Sequence, residues 1–548
     1  MIEATRSFKA LSEEFVEIGF RHDPVAATNV GIHDYDAELP NDTPEGFAER
    51  IAWLSGFEAR LASNVDRDVL DPLQRVDLAL LRSRIAGMRC DLEQIRTQSR
   101  NPVRYPETAL LGVFLLVARP FAPLEERKEA MLARLMAIPD YLSGARACLD
   151  DVSTAAVDIA SEVALTGPGF VDDVVRMLLR GFPGEAERIE HAGARARLGF
   201  LQYQDYLEQE LRPRATGRFA IGEAVMNAKL EREHLLSMDC AALDELGRAE
   251  IERVRGLLED EARQRDATRS WREQLADAKR RHPESLHLRE SYMAEVERAR
   301  KFVEAHRLAP MPDGKLEIVD TPVFERATTT YSAYLPPAPF DIDQTGYFFI
   351  TPIDLSRRRE EQRQQLEAHS RAAIPLIALH ETWPGHHLQL LHGNRAGSRL
   401  RRLGDSTLFA EGWALYCEEL MFEQGFFEDP ATRLFQLRDL LWRACRVVLD
   451  VRLQTERITL GEAVAFLVEN VGLERPTAEI EIKRFILRPT LPLGYLVGKK
   501  LLIEMRDEVK QRLGSRFDLH DFHAALLGSG TIPPALVRED LRTRLGVG

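Results

Sequence analysis

IPLIALHETWPGHHLQLLHG, residues Ile374–Gly393, decides how this chain is read. The stretch is apolar up to His380-Glu381, and after His386 apolar residues return at helical spacing, so both ends read as helix. Between them stand Pro384 and Gly385. Proline removes a helix hydrogen bond and glycine tolerates unusual backbone angles, so a bulge of two residues is expected there. Four of the chain's 14 histidines, His380, His386, His387 and His392, fall inside this one stretch.

A helix carrying His-Glu-x-x-His offers zinc two imidazoles one turn apart, with the Glu aimed at a water. Here His380-Glu381 is intact, but Pro384 takes the place of the second histidine. On an unbroken helix His386 would be turned about 240° from His380, and His387 would share its face roughly 10 Å along the axis. Neither could share one ion with His380. Looping out two residues brings His386 to the ligand position, whereas looping out three selects His387, so His386 ranks first and His387 second. Without a ligand role, His387 is assigned to substrate binding. The third ligand is sought on a following helix, where FAEGWALYCEEL offers Glu411, 25 residues after His386, with Gly412 leaving room beside it. In the His₂Glu catalytic class water fills the fourth position, so one zinc ion per chain is expected, with Glu381 as general base. His392 by itself reads as an ordinary satisfied polar group.

Outward from this segment, the 548-residue chain is roughly four times the commonest domain size, so one small core cannot account for it. From Ala4 to about Ala309 apolar residues recur at three and four, as in LEERKEAMLARLMAIPDYL, where Leu132, Leu135, Met136 and Ile138 share a stripe. Residues 1–309 are therefore expected as an N-terminal helical half. Residues 310–548 form the metal-site half, opening on a small sheet over 310–356, where prolines separate the strand-like pieces LEIVDTPVF, TTTYSAYL and TGYFFITPID. The third piece reads either as an ordinary sheet edge or as an edge that a substrate backbone could join. Helical periodicity then returns to the end, and the absence of any flexible linker makes one continuous, mainly α architecture the expectation.

Lys plus Arg number 73 against 87 Asp plus Glu, a net charge of −14, which argues against nucleic acid or anionic lipid as the main partner. The longest charge-free apolar run, ALLGVFLLVA at Ala109–Ala118, is about half of what a bilayer crossing needs, so no membrane span is expected. The acidic first twenty residues lack an export signal, and the five scattered cysteines suggest reduced thiols, so the expected compartment is the cytoplasm. Self-association as a homodimer stays open.

HETWPGHHLQ, AEGWALYCEEL and RPTLPLGYLVGKK, together with DPVAATNVGIHDYDAELP at Asp23–Pro40 and FAIGEAVMNAKLEREHLLSMD at Phe219–Asp239, closely resemble the signatures of the bacterial family catalogued as domain of unknown function eight-eight-five. The resemblance covers nearly the whole chain. It implies a large multi-helix fold similar to the M32 carboxypeptidases within the gluzincin zinc peptidases, with the small sheet near the active-site cleft. It also implies His380, His386 and Glu411 as ligands and Glu381 as general base. Gly385-His386 resembles the second half of the M32 motif HExGH with two extra residues ahead of it. DVRLQT at Asp450–Thr455 departs from the D-T-G-L-H-like stretch expected of relatives. Tyr495 resembles a family tyrosine, and a phenol can donate to a developing oxyanion. Arg484 is the candidate to hold a peptide carboxylate, which a guanidinium binds through two parallel hydrogen bonds. GIHDYD, with His33, Asp34 and Asp36, reads as a turn. The function expected is a zinc-dependent, carboxypeptidase-like metallopeptidase acting on short peptides. The alternative is a catalytically inactive helical binding protein that retains the fold.

Overall fold

The computed structural model describes residues 2–322, 326 and 331–546, and they are mainly helical with one three-stranded sheet. Among them no helix is long and apolar enough to cross a membrane. The chain divides into two compact units. One comprises Met1–Lys229 with Val323–Ala327 and Ala338–Asp343; the other comprises Leu230–Pro322, Thr328–Pro337 and Gln344–Gly548. The division falls at Lys229–Leu230 and not at the change of texture near Ala309.

In the first unit α1 (Arg104–Ala118), α2 (Leu124–Cys148), α3 (Thr154–Gly181) and α4 (Ala186–Tyr206) pack together, α4 lying against both α2 and α3. The expected stripe is buried at Leu132, Leu135 and Ile138. Arg134 within it is also fully buried, because its guanidinium donates to the carbonyls of Glu38 and Gly112 and to the Thr28 hydroxyl. A buried charge survives only when hydrogen-bonded in this way.

The GIHDYD turn does more than reverse the chain. His33 pairs with Asp36 (2.8 Å) and Asp341 (2.9 Å) and stacks on Phe121 at 3.6 Å. Burial opposes its charge, but the two carboxylates push the imidazole up to about 9. Gly31 has φ +85°, and a Cβ there would lie 2.7 Å from the Asp341 side chain. Phe340 N donates to Val30 O at 3.0 Å, so segment Ala338–Asp343 is gripped by backbone as well as charge.

In the second unit α5 (Cys240–Arg265) lies along α10 (Ala431–Gln454), with the bare Gly247 facing Val447 and Val448. That packing is what draws residues 230–309 into this unit. α6 (Leu288–Ala305) packs against α7 (Ile374–Glu381). The sheet has the order β1 (Lys315–Asp320), β3 (Thr345–Ile350), β2 (Ser332–Leu335). β3 runs parallel to β1 (Lys315↔Thr345) and antiparallel to β2 (Tyr334↔Phe348). Both of its edges are occupied, so TGYFFITP cannot accept a substrate strand, which corrects the sequence expectation. The expected strand residues 323–324 and 328–330 lie outside the described residues.

Two histidines of this unit are held neutral by burial. His523 donates from Nδ1 to Leu308 O (2.5 Å) and accepts from the Tyr416 hydroxyl (2.9 Å), while His369 meets Tyr292 at 2.9 Å. Burial pushes both down to about 4. The unfolded chain takes up protons near pH 6.5 that the native state refuses until about pH 4, so stability is lost as pH falls through that window. Each imidazole accounts for about 1.4 kcal/mol per pH unit. Thermal unfolding should shift downward between pH 7 and 5, and His523→Gln should make that fall shallower.

Candidate metal centre

α7 ends at Glu381 and α8 (His386–Gly393) begins five residues later, so the helix breaks at the expected place, through four non-helical residues instead of a bulge of two. Pro384 O accepts from Trp413 Nε1 at 2.8 Å and from Cys417 Sγ at 3.5 Å. Gly385 passes so close to α7 that a Cβ on it would sit 1.9 Å from His380 O, and its N–H donates to Leu379 O at 3.0 Å. Only glycine fits there.

The break turns His386 back toward His380. On α9 (Thr407–Glu423), Glu411 Oε2 lies 3.3 Å from His386 Nε2 and 3.8 Å from His380 Nε2, and the three donor atoms all lie within 4.8 Å of one another. The two rings stand at 86° with centroids 4.9 Å apart. Around a tetrahedral zinc with bonds near 2.1 Å, ligand atoms stand about 3.4 Å apart, so the donor set fits an ion and leaves a fourth direction open. His380 Nδ1 meets Glu418 Oε1 at 2.8 Å, the carboxylate partner that fixes the tautomer of a ligating histidine.

The electrostatics follow from this crowding. Burial would raise the Glu411 carboxyl, but the His386 and His380 imidazoles hold it well below the usual carboxylate range. Burial would lower His380, but Glu411 and Glu418 push it up to about 10, with Glu381 adding to the effect. Glu381, the last residue of α7, therefore sits within electrostatic reach of the same imidazole.

His387 belongs to neither proposed role. It is fully buried, turned toward the sheet, and hydrogen-bonded through Nδ1 to the Tyr334 hydroxyl at 2.7 Å. Burial pushes it down to about 3. As a ligand it faces the wrong way, and as a substrate contact it is out of reach. His392 donates to Pro310 O at 2.9 Å, as expected of a satisfied polar group. His234 meets Thr490 Oγ1 at 2.8 Å.

Tyr495, which follows α11 (Arg475–Leu487) and opens α12 (Gly494–Leu513), is 9% exposed; Glu411 is close enough to act on its phenol. Arg446 lies over its ring at 4.7 Å and Arg443 at 5.8 Å. Arg446 is buried and bound to Glu481 at 2.7 Å, whereas Arg484 is half-exposed and reaches Glu481 at 3.3 Å. Asp450, from the divergent DVRLQT stretch, accepts from Thr490 N at 3.3 Å just ahead of α12, and burial pushes its carboxyl up to about 8. Among the residues that sequence reasoning missed, Glu418 stands two helical turns beyond Glu411, a spacing that is a signal only once Glu411 is known.

α9 and α12 cross backbone to backbone. A Cβ on Gly412 would lie 2.5 Å from Gly498 C, and one on Gly498 would lie 1.8 Å from Leu408 O. Gly498→Ala must push the helices apart, and overpacking of this kind costs about 1 to 3 kcal/mol. Denaturant unfolding should show that loss, and Gly461→Ala, where a Cβ meets nothing, should not.

No functionally curated protein matches the chain. Solved structures do match it, two among them as follows. A candidate lipoprotein of unknown function from Shewanella oneidensis is 22% identical, with a TM-score of 0.79 over 97% of this chain and 98% of that one. A candidate lipoprotein from Colwellia psychrerythraea is 19% identical, with a TM-score of 0.83 over 99% of each chain. At such identities the likeness is one of fold. The family model described as bacterial protein of unknown function, DUF885, matches residues 24–541, and the chain belongs to that family.

Proposed function

We propose that the chain is a zinc-dependent metallopeptidase, carboxypeptidase-like in its action on short peptides, in keeping with the resemblance of its motifs to the M32 carboxypeptidases and other gluzincins. The observation that carries this reading is the convergence of His380, His386 and Glu411, with Glu381 beside them and Glu418 behind His380. Those three would hold one divalent ion. Such an ion supplies a Lewis acid that polarises a carbonyl and acidifies a water. Glu381 takes the water's proton and returns it to the departing amine. Tyr495 donates to the oxygen on which charge develops. The peptide carboxylate is assigned to the guanidinium cluster beside Tyr495, where Arg484 is half-exposed and the buried Nε of Arg443 has no hydrogen-bond partner.

The same ion pairs that align His380, Glu411 and His386 also satisfy them without an ion, which favours the alternative of a catalytically inactive helical binding protein. All five cysteines are free thiols, which suits a cytoplasmic protein, whereas two of the solved structures of like fold are described as candidate lipoproteins, so fractionating the source cells decides the compartment.

Elemental analysis should find one zinc per chain. Glu381→Gln should keep the metal and lose hydrolysis, since an amide cannot accept the water's proton. Amidating the peptide carboxylate removes a charge-assisted contact of about 1.5 to 3 kcal/mol, so kcat/KM should fall about ten- to a hundredfold. Equal rates on free and amidated peptides would reject the carboxypeptidase reading. Metal-replete protein that cleaves neither would leave the binding protein.

A further inference from the structure

The break at residues 382–385 leaves an unsolved problem of rotation. His386 is the first residue of α8, and across the break the backbone contributes only the bonds Gly385 N to Leu379 O (3.0 Å) and Leu388 N to Thr382 O (3.3 Å). Neither amide belongs to His386. A continuous helix fixes the direction of every side chain through its ladder, but two ladders joined by a turn need a separate contact to set one about the other.

That contact lies on the side of α8 facing away from Glu411. His387 points about 100° round the helix from His386, and its Nδ1 meets the Tyr334 hydroxyl at 2.7 Å. The imidazole is fully buried, with the Trp383 ring edge-on at 4.6 Å and the Tyr334 ring at 5.7 Å. Tyr334 stands on β2 opposite Phe348 of β3. The space for the pair is made by Gly346 of β3: a Cβ there would lie 2.6 Å from the Tyr334 hydroxyl and 2.8 Å from His387 Nδ1. An apolar side chain could fill the same volume, but it would not fix the helix by a directional bond.

We infer that Tyr334 and His387 are positioning residues, which lock the rotation of α8 against the sheet so that His386 faces Glu411 and completes the metal-binding set. The inference rests on the metal reading above and extends it to residues outside the ligand set. Partners beyond the ligands of a metal typically change affinity about ten- to a hundredfold when removed.

The test uses the full chain, with zinc affinity measured by chelator competition and the visible spectrum of the cobalt(II)-loaded protein reporting ligand geometry. Tyr334→Phe removes only the hydroxyl. It should weaken zinc binding about ten- to a hundredfold and alter the cobalt spectrum. His387→Asn places an amide oxygen where Nδ1 stood and should stay near the wild-type affinity, whereas His387→Leu should match Tyr334→Phe. Wild-type affinity and spectrum in both Tyr334→Phe and His387→Leu would overturn the inference while leaving the metal site intact. A lowered unfolding temperature of the metal-free protein with unchanged affinity would overturn it too, since that marks packing alone. Failure of the wild-type chain to take up either ion removes the metal reading, and this inference falls with it.

Discussion

The hydrogen bond from Trp413 Nε1 to Pro384 O is the interaction on which the centre depends. It joins the broken turn to α9, the helix that carries Glu411, and so places one donor relative to the other two. Trp413 is fully buried, and its ring lies edge-on to His523 at 5.2 Å, so its indole N–H has a fixed direction. Without it Pro384 O, exposed by the helix break, would keep only the weak contact from Cys417 Sγ at 3.5 Å, and a poorly satisfied buried acceptor costs about 1 to 3 kcal/mol. The chain thus uses the acceptor that a helix break exposes as the attachment point for a second helix.

The carboxylates on α9 divide the labour by their position along one helix. Glu411 faces the two imidazoles, and Glu418, two turns on, backs His380 from the other side. Glu419 turns instead to Lys499 of α12 at 3.2 Å and to Arg433 at 3.2 Å. Burial would neutralise Lys499, and Glu419 opposes that. These contacts stand beside the close approach of Gly412 and Gly498, so charge pairing and bare backbone together fix the distance between α9 and α12.

The helical architecture and the donor set were legible because they rest on local signals. Periodicity marks helices, and Pro384-Gly385 marks the break that selects His386 over His387. What escaped depends on contacts between distant segments. The seam at Lys229–Leu230 follows from α5 lying on α10, which no change of composition announces. The central place of β3 follows from a strand order that skips, with β1 and β3 as parallel neighbours across an intervening strand. Glu418 looks like any charge on an amphipathic helix until its neighbour is known. The pairing of Arg484 with Glu481 one turn back is visible in EIKR, but that the distant Arg446 already holds the same carboxylate is not.

The grip of His33 on Asp341 bears on the chain as a unit of inheritance. Segment Ala338–Asp343 lies between β2 and β3 in sequence, yet its compact unit is the one built from the first 229 residues. Neither unit is therefore an uninterrupted stretch of polypeptide. A gene fragment ending at residue 229 would encode the His33 cradle without the aspartate it holds. A fragment beginning at residue 230 would encode that aspartate without its cradle. Recombination between relatives that cut at the seam would separate partners that meet across about three hundred residues, so the two units are expected to be inherited and exchanged together.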